Sequence, residues 1–203
     1  MFLSGLSRAS AAAACAAALL ASACAPIALG GVGAVTGSRV AQERSVGDGL
    51  DDAGIDLAIG RKFFRTKGYD FSDVDVNVYE GRVLLTGTVR DEATRQMAAK
   101  LAWQVEDVAE VLNELELGEE TPFLKGTNDG WIEARLRSRL TTDSVVTGIN
   151  YEIAVSQGNV YILGVAQNQA EHERVVNHAR VIQGVRKVVS HIQLADDPSR
   201  RLR

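Results

Sequence analysis

Cysteine is nearly absent from this sequence: there are two in 203 residues, Cys15 and Cys24. Cys15 lies in an apolar leader that is read as removed, so one thiol remains and an internal disulfide is excluded. Catalytic signatures are missing too. No Ser, Cys or Asp sits in a nucleophile motif, and no glycine-rich loop opens a helix as a phosphate cradle. His172 and His178 are six residues apart, whereas a helical zinc pair needs a spacing of four, so the rings fall on different faces. "DVDVN" (73–77) begins like a calcium loop but lacks the glycine and the closing glutamate. These absences predict a non-enzyme with no metal site and no cofactor.

Strong charge of one sign is also lacking, the formal net charge being -4. Its distribution is uneven. Residues 51–118 carry 14 acidic and 8 basic side chains, net -6, and residues 130–203 carry 7 and 10, net +3. Only the second half is drawn to an anionic surface.

The leader itself reads as a signal peptide over residues 1–23. Arg8 supplies the positive start, and "ASAAAACAAALLASAC" is apolar, small and too short to span a membrane. Ala21-Ser22-Ala23 fits a plain secretory cleavage site, and "LLASAC" is similar to a lipobox with Ala21 in place of its usual leucine. Both readings cut before Cys24 and differ in whether Cys24 is the site of lipid attachment. A lone thiol at a new N-terminus has little structural use, which favours the lipid. Residues 24–50 then form the lipidated N-terminus and a Gly-, Ala- and Ser-rich flexible tether.

After the tether the chain repeats. Residues 54–117 shifted by 77 fall on 131–194 without a gap, matching Ile55 to Ile132, Gly81 to Gly158, Gly87 to Gly164 and Val111 to Val188. The identities lie at apolar and glycine positions, as in a duplicated fold with diverged surfaces. Each unit, 51–118 and 130–195, reads as helix, strand, strand, helix, strand. Ile55, Ile59 and Phe63 recur at helical spacing. Val74, Val76 and Val78 alternate with polar residues as a strand with one wet face. Glu80-Gly81 reads as a hairpin turn, Gly87 and Gly164 as a bulge or a close helix–sheet approach, and Asp91 and Asn168 as helix caps. The expected fold class is α+β: two tandem αββαβ domains, each a small three-stranded mixed sheet with two helices on one face. Residues 119–129 are the expected linker and 196–203 a polar tail. Units this small leave little room for a deep pocket.

One helix stands out, "NDGWIEARLRSRL" (128–140). At about 100° per residue from Trp131, the apolar Ile132, Leu136 and Leu140 cluster near Leu136, with Trp131 about 140° away. Arg135 and Ser138 share its face and Arg139 flanks it. An indole beside guanidinium groups suits a lipid headgroup layer. The equivalent positions of the first unit are Gly54, Ala58 and Lys62. The competing reading packs Trp131 on the other unit or on Phe123 or Leu124 of the linker. A tryptophan and arginine stripe also suits nucleic acid, but export argues for no nucleic acid.

The tandem units, with hairpins "VYEGRVLLTG" and "GNVYILGVA", resemble BON domains. "RSVGDGLDD", "VLNELELG" and "TNDGWIEARLRSRL" are similar to stretches of the division- and outer-membrane-stress-associated lipid-binding lipoproteins. That resemblance implies a lipoprotein of the cell outer membrane facing the periplasm. Its second BON domain would bind anionic phospholipids such as phosphatidylglycerol and cardiolipin through its first helix, supporting envelope integrity. Trp131 matches the inserting tryptophan, Arg135 and Arg137 match basic residues of that helix, and Arg139 is an added charge. The alternative is a module that docks an envelope protein partner through the acidic first unit.

Overall fold

The computed structural model describes residues 46–118 and 122–202, with side chains over 49–118 and 128–200. The signal peptide, Cys24, most of the tether, and the side chains of Phe123 and Leu124 lie outside the described residues.

The first unit runs α1 (Val46–Arg65), β1 (Val74–Tyr79), β2 (Arg82–Val89), α2 (Glu92–Ala102), β3 (Glu110–Asn113) and β4 (Glu116–Leu117). The second runs α3 (Pro122–Thr142), β5 (Tyr151–Ser156), β6 (Asn159–Ala166), α4 (Gln169–Arg180) and β7 (Lys187–Leu194). β1–β2 and β5–β6 are antiparallel hairpins, and β2–β3 and β6–β7 are parallel pairs reached through α2 and α4. Each unit is thus a mixed sheet with two helices on one face. The helices reach beyond their expected limits: α1 takes in part of the tether, and α3 takes in residues 122–129 of the connection.

The third strand of the first unit is broken in two. Both pieces pair with β2 at an offset of 28 residues, Arg82 with Glu110 (110 − 82) and Thr88 with Glu116 (116 − 88). The break is local side-chain chemistry. Asn113 Oδ1 accepts the Leu115 N–H at 3.4 Å and Nδ2 donates to the Arg95 carbonyl at 3.1 Å, a side-chain substitute for the ladder. β7 has Ser190 at the equivalent position and stays regular.

Strand alternation divides each sheet between two cores. On one face Val83, Leu85 and Val89 meet Ile55, Ile59 and Phe63 of α1 and Ala98, Leu101 and Ala102 of α2. In the second unit Val160, Ile162 and Ala166 meet Ile132, Leu136 and Leu140 of α3 and Val175 and Ala179 of α4. The opposite faces pack against one another through Tyr79, Leu84, Ala154, Tyr161, Leu163 and Val165. The layer order is helices, sheet, sheet, helices. This corrects the wet-face reading of β1. Asp75 on that face is exposed, but Tyr79, four residues on, is 1% exposed between the sheets.

Polar groups seal the rim of this contact. Arg82, 4% exposed, donates to Glu110 at 2.7 Å and to the His191 carbonyl at 2.7 Å. The His191 ring meets Glu114 at 2.9 Å, so it joins the two units. Glu116 accepts from Tyr161 at 3.1 Å and Gln157 donates to Thr88 at 2.8 Å. Burial, reinforced by Glu116, pushes the Tyr161 phenol above its ordinary range.

Both hairpins turn on a left-handed pair, Glu80-Gly81 (φ 52° and 71°) and Gln157-Gly158 (φ 52° and 77°). Their four N–H groups are bound by helix carboxylates. Asp52 accepts from Glu80 and Gly81, and Asp129 accepts from Gln157 and Gly158, every distance 2.8 Å. Asp52 and Asp129 are themselves 77 residues apart. Gly87 and Gly164 serve a backbone contact, not a helix–sheet contact. A Cβ at Gly87 would stand 1.9 Å from the Asp73 carbonyl oxygen, and one at Gly164 2.1 Å from that of Asn150.

Candidate functional site

The candidate surface is the outer face of α3. Its inner face is sealed, Ile132, Leu136 and Leu140 being 0%, 0% and 1% exposed. Asp129, locked to the β5–β6 turn, fixes the rotation of the helix about its axis. Trp131 is consequently turned outward and 50% exposed. Arg135 and Ser138 are exposed one and two turns along the same face, and Arg139 beside them is partly exposed. The stripe from Trp131 to Arg139 is about 12 Å long.

The arginines are not equivalent. Arg137 lies on the other flank of the helix, about 120° from Trp131, and donates to Glu133 at 3.1 Å. Arg135 and Arg139 have no ion-pair partner among the described residues. The structure therefore groups Trp131, Arg135, Ser138 and Arg139 and sets Arg137 apart. Trp131 has no aromatic partner among the described residues. Two uncompensated guanidinium groups beside a half-exposed indole form a site for an anion with an apolar neighbour.

Sequence reading missed what lies past the helix C-terminus. Val145 and Ile149 are 59% and 61% exposed, on a loop held tightly to the last turn. A Cβ at Gly148 would stand 3.2 Å from the Leu140 carbonyl. Buried Glu171 accepts the Thr147 and Gln167 N–H groups at 2.9 and 2.8 Å. Asp143 accepts from Arg174, from His178 at 2.6 Å and from the Val145 N–H at 3.0 Å. The Arg174 bond, then the His178 bond, hold the Asp143 carboxyl well below the usual carboxylate range. The "VV" at 145–146 was the only trace of this loop in the sequence.

His172, bonded to Ser190 at 2.9 Å, and His178 serve different contacts. No group of three or more metal-ligating side chains occurs among the described residues. A shallow cavity of about 200 Å³ borders Asp52, Asp56 and Glu152, and the Asp52 oxygens there are already taken by the hairpin turn.

A family model for the BON domain matches residues 51–119 and again 128–196. The chain belongs to the BON-domain family. Its first BON domain holds α1 to β4 and its second α3 to β7. Among curated relatives, "Uncharacterized protein in gshII 5'region" of Anaplasma centrale is 37% identical over 75% of this chain and 100% of its own length. "Outer membrane lipoprotein DolP" of Haemophilus influenzae is 29% identical over 85% of this chain and 89% of its own. "21 kDa hemolysin" of Actinobacillus pleuropneumoniae is 26% identical over 76% and 80%. No helix among the described residues is long and apolar enough to cross a membrane.

Proposed function

We propose that this protein is a non-catalytic, periplasm-facing lipoprotein of the outer membrane, anchored through Cys24, whose second BON domain binds anionic phospholipid and so supports envelope integrity. The observation that carries this reading is the outer face of α3, where a half-exposed indole stands beside two arginines that have no ion-pair partner among the described residues. Headgroup phosphates, as in phosphatidylglycerol or cardiolipin, satisfy Arg135 and Arg139, and the Trp131 ring enters the interfacial layer. Each cation near an anionic bilayer contributes about 1 kcal/mol. The relative named as an outer membrane lipoprotein supports the compartment. The acyl chains supply attachment, and α3 selects membrane rich in negative charge.

The test is cosedimentation of residues 24–203, carrying Cys24→Ser, with vesicles of phosphatidylcholine alone or with phosphatidylglycerol. Binding is expected only to the anionic vesicles, to weaken about tenfold or more in Trp131→Ala and Arg135→Glu, and to fall with salt. Equal binding to both vesicle types would remove the electrostatic basis of the proposal.

A further inference from the structure

The outward side of α1 carries an apolar stripe that the fold does not use. Leu50, Leu57 and Phe64 recur every seven residues and are 71%, 55% and 93% exposed. They fall within about 40° of one another, opposite the buried Ile55, Ile59 and Phe63. Gly54 and Gly60 lie along the same side, and a Cβ built at either meets nothing within 4 Å. Large side chains separated by glycines let a second helix approach closely.

Charge along α1 is divided between its ends. Asp51 flanks the stripe at the N-terminal end, and Lys62 and Arg65 flank it at the C-terminal end on the same side. None of the three has an ion-pair partner among the described residues. A parallel neighbour would set like charge against like. An antiparallel copy sets Asp51 against Lys62 and Arg65, and does so twice. A two-fold axis at Leu57 also sets Leu50 level with Phe64, and Gly54 level with Gly60, of the other copy, so apolar side chains meet along the seam and the glycines leave room for close approach between them.

We propose that α1 is a self-association surface, on which a second copy of this chain docks its own α1 antiparallel across Leu57. The apolar seam supplies the attraction and the end charges set the direction. A second copy is favoured over a bilayer because it offers Asp51 a cationic partner at each end of the seam, and an anionic surface offers it none. This proposal is independent of the phospholipid reading of α3.

The test is sedimentation equilibrium of residues 24–203 with Cys24→Ser across a wide concentration range. A monomer–dimer equilibrium is expected. Leu57→Glu places two carboxylates on the axis and should weaken it by about tenfold or more. Leu57 is exposed, so an unchanged thermal melt separates this effect from misfolding. Arg65→Asp should weaken association a few-fold, and reversing all three charges, Asp51→Arg with Lys62→Asp and Arg65→Asp, should restore it. A monomer at every concentration, or a dimer indifferent to Leu57→Glu, overturns the proposal. So does a monomer whose Leu57→Glu variant loses vesicle binding, which would give the stripe to the membrane.

Discussion

Replacing Asp129 with alanine tests how the fold aims the candidate surface. Asp129 is 7% exposed and accepts two backbone N–H bonds of 2.8 Å from the turn joining β5 and β6. Hydrogen bonds to a charged group contribute about 1.5–3 kcal/mol each, and the two share one carboxylate. The Gly158 N–H is buried, so its loss is not made good by water. Asp129→Ala should therefore cost about 3 kcal/mol, and Asp129→Asn about 2, since an amide oxygen serves one N–H and its nitrogen opposes the other. With a urea dependence of about 2 kcal/mol/M, the alanine midpoint falls by about 1.5 M at unchanged slope. Tryptophan fluorescence reads the transition in both domains, Trp103 in the first and Trp131 in the second. Because the sheets are packed together, a Trp131→Phe background read through Trp103 alone should give the same midpoint shift. A drop below about 0.3 M would mean that the clamp is ornamental and that the helix phase is set by apolar packing alone.

Four further outcomes follow from the geometry. Arg137→Ala should leave anionic-vesicle binding within about twofold, because its charge is held by Glu133, whereas Arg135→Ala or Arg139→Ala should weaken it about fivefold. Gly164→Ala should lower stability by about 3 kcal/mol or more in thermal unfolding, since its Cβ collides with backbone rather than with a movable side chain. Asp143 has a folded pKa depressed below its ordinary value of 3.8. Its contribution to stability is thus complete above that value and lost as pH falls from there through the depressed folded pKa. The stability gap between the parent and Asp143→Asn, measured by denaturation, should be fully open at pH 7 and narrow progressively as pH falls below about 4.

The parts of the fold that rest on local periodicity were legible. Ile132, Leu136 and Leu140 repeat at helical spacing and are buried together. The hairpin turns, caps and mixed sheets follow from residues within one unit, and the 77-residue repeat confirmed each assignment with its copy. Contacts between units leave no such trace. Leu84 and Leu163 look like ordinary strand residues, and nothing near Arg82 announces a partner 109 positions away. The break at Asn113 depends on a side-chain amide competing with a ladder bond, which no alternation pattern records. The Asp52 and Asp129 clamps were open to discovery, since they obey the same repeat, but they stand just before its first aligned residue. For α3, spacing indicated the faces of Trp131 and Arg135. The Glu133–Arg137 pair stands in the sequence at i, i+4 spacing, and the placed side chains show it formed.

The stacking of helices, sheet, sheet and helices has a consequence for reach. α1 and α3 are outermost layers on opposite sides, about 30 Å apart for layers spaced about 10 Å. A molecule lying on a bilayer through α3 therefore holds α1 up toward the aqueous space. If two such molecules join through α1, their tryptophans look in opposite directions, and a single bilayer can engage only one of them.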